Sequence, residues 1–180
     1  MLAHQSRHIT HDTTDWVPMV ALYDADYKHP QASTTATPAI LYFPAGTYLI
    51  SSSIVPYYFT QMIGDASSPP TLKATANFQG FGLIDGNPYY TENLNWVSTN
   101  VFYRQVRNFI LDTTNIAPGT AATGMHWPTS QATSLQNIVF NMPVGNGVVH
   151  VGLFIESGTF GLHHSLSLLI GGSNNSNRRY

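Results

Sequence analysis

Of the nine acidic residues in this chain, two are glutamates, Glu92 and Glu156, and the seven aspartates are scattered along its length. General acid–base chemistry needs two proton-transfer groups within reach of one substrate. Asp65, Asp85 and Asp112 each end a short apolar run, where the expected role of a carboxylate is to cap a turn by accepting backbone N–H groups. Glu92 lies in the loop-like stretch NPYYTENLNW and reads as solvated, whereas Glu156 closes VGLFIE and could face a cleft. A lone carboxylate is not a catalytic pair, so hydrolysis by this chain alone is not expected. His4, His8 and His11 have a helical spacing that could collect a metal. They sit without acidic partners in an unpatterned leader, so neither a metal centre nor a cofactor is expected. Aromatic residues gather at Tyr57, Tyr58 and Phe59 and again at Tyr89, Tyr90 and Trp96, in or beside loop-like stretches. Packing beneath a long loop is their expected fate, with ligand contact the alternative.

The elements that must position these groups follow from composition and pattern. Hydrophobic residues are 43% of the 180 residues, enough for a core, whereas charged residues are only 9%. Soluble domains average roughly 25% charged residues, so this surface must be built from Ser, Thr, Asn, Gln and backbone. With a net charge of −2 and only Lys28 and Lys73 as lysines, no basic stripe exists to neutralise a phosphate backbone, and nucleic acid is not an expected partner. Cysteine is absent, which removes disulfides and thiolate metal sites from consideration. The start MLAHQSRHITHDTTDW has no apolar h-region, and no run approaches 18 apolar residues, so neither a signal peptide nor a membrane contact is expected. One sequon, Asn174-Asn175-Ser176, lies near the end.

From Ala39 onward, apolar runs of four to six residues (AILYF, TYLIS, QMIG, FGLID, NFILD, NIVFN, VGLFIE) alternate with clusters of Gly, Pro, Asn, Ser and Thr. None is long enough for a helix, and the text reads as all-β. VRNFILD at 106–112 returns as LQNIVFN at 135–141, with Asn108 and Asn137 in the same place. A repeat spacing in the range of roughly 20 to 50 residues marks a stacked architecture. With strands as the repeating unit, that architecture is a parallel β-helix, in which Asn108 and Asn137 would form a rung of an Asn ladder. Two like strands of a sandwich are the alternative.

LYFPAGTYLIS (41–51) resembles the opening coil of the pectate-lyase-like superfamily. PYYFTQMIGD, PTLKATANFQGFGLIDGNPYY, NVFYRQVRNFILDTTN, ATGMHWPTSQATSLQNIVFNM and HVGLFIESG resemble the amino-terminal β-helix of the fungal exo-β-1,3-glucanases, the laminarinases of glycoside hydrolase family 55. The resemblance runs from Pro38 to Gly158. It implies an incomplete right-handed parallel β-helix over 38–158, flanked by an irregular leader at 1–37 and a divergent, disordered or non-native tail at 159–180.

Complete members have two tandem β-helices with a cleft between them, act outside the cell, and release glucose from the non-reducing end of β-1,3-glucan with inversion. The expected partners are therefore a laminarin-type glucan and the second β-helix, which in the family carries the glutamate that acts as general acid. Inversion also needs a group that positions water across the ring. The resemblance places Gln131, in HWPTSQATS (126–134), in that role, since an amide can orient water although it cannot act as a strong base. His126, Trp127, Thr133, Glu156 and Ser157 are the implied substrate contacts: a ring for the apolar face of a pyranose and polar groups for its hydroxyls. The alternatives are core packing for His126 and Trp127, and turn hydrogen bonds for Gln131 and Thr133.

The capping segment expected before FPAGTY is only faintly echoed by ITHDTTDW, and GTFGLHHSLSLLIGGSNNSNRRY departs from the pattern after ESG. A chain shortened at both ends is the expectation, with the coils at Ala39 and Phe154 as open edges prone to association. Two other readings remain. One is a glucan-binding module without catalysis. The other is a pectin-active relative, although pectate lyases need clustered acids for Ca²⁺ and none is visible here.

Overall fold

The computed structural model describes residues 9–11, 39–96, 101–157 and 168–171. Every element in them is a strand: Ile9–His11 (β1), Ala39–Phe43 (β2), Thr47–Ile54 (β3), Thr60–Gly64 (β4), Thr71–Asp85 (β5), Gln105–Asp112 (β6), Ala122–His126 (β7), Ser134–Asn141 (β8), His150–Phe154 (β9) and Leu168–Gly171 (β10).

The longer strands turn corners, and their halves pair on different faces. On the first face β2, β4 and the opening halves of β6 and β8 lie in parallel. On the second, the start of β3, the start of β5 and the closing halves of β6 and β8 continue the stack, with β10 on β8. The ends of β3 and β5, followed by β7 and β9, make the third. Among the described residues the coils thus stack on three faces in parallel register, which is a parallel β-helix.

The apolar runs line up because each coil repeats the last. Met62, Val106 and Leu135 are register partners on the first face, and all are buried. Tyr48, Leu72, Leu111 and Phe140 make the second column, and Ile54, Ile84, Met125 and Leu153 the third. Each such side chain removed from water contributes about 1.5–3 kcal/mol. Phe43 and Phe109 close the middle edge-to-face at 5.1 Å.

The corner between the first and second faces is built from asparagine. Asn108 and Asn137 hold φ of 60° and 51°, a left-handed conformation that Asn tolerates better than most residues. Asn137 donates its side-chain amide to Oδ1 of Asn108 at 3.0 Å, and Asn108 donates its own to the carbonyl of Gly64 at 3.1 Å. A Cβ at Gly64 would lie 1.9 Å from the Asn108 carbonyl oxygen, so the top of this ladder has room only for glycine.

Two strands lie outside the 38–158 expected for the β-helix. From the leader, β1 pairs antiparallel with β3 through Ile9↔Ile50, Thr10↔Leu49 and His11↔Tyr48. From the tail, β10 continues the parallel stack on β8 from Leu168↔Ile138 to Gly171↔Asn141. Neither segment is irregular at these positions, because an edge with open backbone donors and acceptors rewards any strand that covers it. The edge expected at β3 is therefore covered along the second face. The helical spacing of His4, His8 and His11 does not carry through to His11, which lies in a strand; His4 and His8 lie outside the described residues, as does the Asn174 sequon.

Candidate functional site

Three strand ends on the third face converge. Parallel register places Asp85, the last residue of β5, beside His126, the last of β7, and His126 beside Phe154, the last of β9. Glu156 follows two residues beyond Phe154, so its side chain reaches back to the same imidazole. His126 Nδ1 lies 2.8 Å from Asp85 Oδ1, and Nε2 lies 2.7 Å from Glu156 Oε1. The imidazole is fully buried and Asp85 is only 2% exposed, whereas the Glu156 side chain keeps 23% of its surface in solvent.

The rings around His126 shield it. Phe81 packs against it at 4.5 Å, Tyr89 stacks at 5.9 Å and Phe154 at 5.7 Å. The Tyr89 hydroxyl donates to Oε2 of Glu156. That acceptor, foremost among the causes, pushes the Tyr89 phenol up to about 12. Asp85, His126 and Glu156 therefore form one hydrogen-bonded unit whose outer end, Glu156, is the part that meets solvent.

The loop after β5 brings Tyr89 and Tyr90 to this place, and Arg104 fastens it. The buried Arg104 donates from Nη1 to the Gly86 carbonyl and from Nε to the Tyr57 carbonyl at 3.1 Å, with its guanidinium 4.9 Å from the centre of the Trp96 ring. Burial lowers its pKa to about 9, which leaves it a cation at neutral pH. Asn87 ties both ends of the loop together, donating from Nδ2 to the Trp96 carbonyl and accepting the Trp96 N–H at Oδ1, each at 2.9 Å. Beside the loop opens a cleft of about 400 Å³ lined by Ser52, Gln79, Phe81, Asp85, Tyr89 and Tyr90, among others.

The structure sorts the residues singled out from the sequence. Gln131 is exposed in the bend before β8. Thr133 is buried, donates to the Ser130 carbonyl at 3.0 Å and lies 3.2 Å from Thr129 Oγ1, which is turn chemistry and not a ligand contact. Trp127 is 1% exposed and belongs to the core, so its ring has no face to offer a sugar. Both ring nitrogens of His126 lie at hydrogen-bond distance from carboxylates, Asp85 on one side and Glu156 on the other. Ser157, half-buried, follows Glu156. Glu156 is not the lone carboxylate it seemed, since it shares His126 with Asp85.

The capping role expected of three aspartates is found, with additions. Asp65 accepts the N–H groups of Ser67 and Ser68, each at 2.9 Å. Asp112 accepts Thr114 N–H at 2.8 Å and pairs with Lys73 at 3.1 Å. Asp85 accepts Asn87 N–H at 3.1 Å but also holds His126, the part that sequence reasoning missed. A signal was present: FGLID, ATGMH and VGLFIE all finish on, or just before, a titratable side chain. Aligning those ends as successive coils would have brought the three together. Among the aromatics, Tyr57 packs on Trp96 at the end of the loop and Tyr58 on Tyr103, while Tyr89 and Tyr90 remain exposed.

The coil register and this site can be compared with known proteins. Residues 9–175 match the family described as rhamnogalacturonase A/epimerase, pectate lyase-like. The chain belongs to this pectate-lyase-like family. It is 46% identical over 131 residues to a glucan 1,3-beta-glucosidase of Cochliobolus carbonum, covering 72% of this chain and 17% of that protein. It is 42% identical over 132 residues to a probable glucan endo-1,3-beta-glucosidase of Arthroderma benhamiae, covering 72% of this chain and 15% of that protein. It is also 40% identical over 141 residues to the non-secreted LysM effector LysM19 of Penicillium expansum, covering 78% of this chain and 11% of that protein. The pectate-lyase-like chain thus spans less than a fifth of the length of these relatives.

Proposed function

We propose that this β-helix forms part of the glucan cleft of a hydrolase that releases glucose from β-1,3-glucan with inversion. The observation that carries the reading is the 46% identity over 131 residues to a protein named as a glucan 1,3-beta-glucosidase. The surface agrees with it: an open cleft of aromatic, amide and hydroxyl groups suits an uncharged polysaccharide. In this reading Gln131 orients the attacking water, and Glu156 with Ser157 lies along the substrate path. The general acid comes from a second β-helix packed against this one, and the reaction takes place outside the cell, where laminarin-type glucan is met.

The test is to incubate the purified chain with laminarin, with and without a separately expressed second β-helix from a glucan 1,3-beta-glucosidase, and to measure glucose. Release only when both parts are present is the expected result. Release of glucose by this chain alone would overturn the division of labour, and Ca²⁺-dependent cleavage of polygalacturonate would overturn the substrate. A second reading is glucan binding without hydrolysis. Saturable laminarin binding with no glucose release in either mixture would select it.

A further inference from the structure

One dipeptide in the loop between β8 and β9 lies open to reaction with its own backbone. Asn146 is followed by Gly147, the one Asn-Gly pair in the sequence. Residues 144–147 are all exposed, and a Cβ built on Gly145 or Gly147 would have no heavy atom within 4 Å. Among the described residues, no hydrogen bond engages the Asn146 side chain or the Gly147 N–H. The loop is anchored only beyond this tip. Val149 donates its N–H to the Pro118 carbonyl at 3.0 Å, and the His150 ring lies 3.2 Å from the Ala117 carbonyl and 2.9 Å from Thr113 Oγ1. The pair Asp85-Gly86 has the same arrangement of side-chain carbonyl carbon and following amide nitrogen, yet both are held. Asp85 Oδ1 accepts from Asn87 N–H and lies beside His126, and Gly86 donates its N–H to the His126 carbonyl at 2.7 Å. At Asn146 and Gly147 both reacting atoms are free to move.

We infer that Asn146 is a modification site, which deamidates through a cyclic imide to aspartate and isoaspartate in the folded chain. The Gly147 nitrogen loses its proton and attacks Cγ of Asn146. The new C–N bond closes a five-membered ring, the Cγ–Nδ2 bond breaks, and ammonia leaves with the proton. Water then opens the ring. Attack at the side-chain carbonyl gives aspartate, and attack at the main-chain carbonyl gives isoaspartate, whose backbone runs through Cγ. Neither step changes an oxidation state, and water is the only co-reactant. Glycine favours the closure because it has no Cβ to crowd the approaching nitrogen. Each product replaces a neutral amide by a carboxylate and adds one negative charge to the net −2. An exposed tip tolerates the change, and the anchors at Val149 and His150 keep it from reaching β9. This inference rests on the loop alone and is independent of the function proposed above.

The experiment ages the full chain in mildly alkaline buffer as wild type, Asn146→Gln and Gly147→Ala, and follows the peptide that spans the loop by mass spectrometry. The thermal melt of each variant serves as the folding control, and both replaced residues are exposed. Wild type should gain the mass of an NH₂-to-OH exchange at Asn146, at a rate within a few-fold of that in the free peptide Val-Gly-Asn-Gly-Val. Gly147→Ala should slow the exchange about ten-fold. Asn146→Gln should abolish it, because a glutamine would have to close a six-membered ring. An isoaspartyl methyltransferase supplied with labelled S-adenosylmethionine should label aged wild type and leave aged Asn146→Gln unlabelled. The melt of aged wild type should match that of fresh protein. Exchange at Asn146 no faster than at Asn93, which is exposed but followed by leucine, would overturn the site. An unslowed Gly147→Ala would overturn attack by the glycine nitrogen, and a mass gain without methyl transfer would overturn the isoaspartyl product.

Discussion

Asn137 donates its side-chain amide to the side-chain oxygen of Asn108 at 3.0 Å, one coil earlier in the stack, and both residues hold the left-handed conformation that turns their strands from one face to the next. The same side chain thus serves the corner in two ways, by tolerating the backbone and by bonding along the stack. Asn108→Ala removes both and should cost about 2–3 kcal/mol, from lost hydrogen bonds and left-handed strain. Asn108→Gly relieves the strain but not the lost bonds and should cost about half as much. Urea denaturation of the two variants checks this, and equal losses would show that strain plays no part.

His126→Ala should be among the most damaging single changes at the site. It leaves Asp85, 2% exposed, without the partner that offsets its burial. Removing one member of a buried pair costs about 3–5 kcal/mol. Glu156→Gln, with its side chain 23% exposed and still able to hydrogen-bond, should cost about 1 kcal/mol. Thermal unfolding should rank the two in that order. The reverse ranking would place the structural weight on Glu156.

Arg104→Lys keeps the charge and loses the fork that reaches two carbonyls at once. The expected outcome is faster limited proteolysis between residues 86 and 96, with little change elsewhere. Cleavage at the wild-type rate would mean that Asn87 alone secures the loop.

Asp65 supplies a pH dependence with a definite sign. The Ser67 hydroxyl, the Ser68 N–H and then the Tyr42 hydroxyl hold its carboxyl down to about 2. An unfolded aspartate titrates near ~3.9, so folding favours the ionised form. The stabilisation is complete above pH ~4 and is lost as the pH falls through about 2. Melting temperatures of wild type and Asp65→Asn should therefore converge as the pH drops from about 4 to about 2. A gap that stays constant over that window would remove Asp65 from the acid response.

Much of the fold was legible because a solenoid repeats its text. The heptads at 106 and 135 announce the rung, and the asparagine in each announces the ladder. The strands β1 and β10 were not legible, because three or four residues of ordinary composition carry no period. They are drawn into place by the open edges of β3 and β8, which exist only once the coils have stacked.

The site divides along the same line. Local pattern was enough to place Asp65 and Asp112 in turns, since a capping carboxylate bonds to groups two or three residues away. Asp85, His126 and Glu156 are 41 and 30 residues apart along the chain, and no local rule joins them. The resemblance implied ligand contacts at Trp127 and Thr133 with core and turn as the alternatives, and burial makes the first core and the second a turn residue. The sequence by itself determined an all-β chain, its repeat and its lack of charge, because these are properties of composition and period. Only the tertiary structure decided that two scattered carboxylates share one buried imidazole beside an open cleft, because parallel register sets strand ends side by side whatever their separation in sequence.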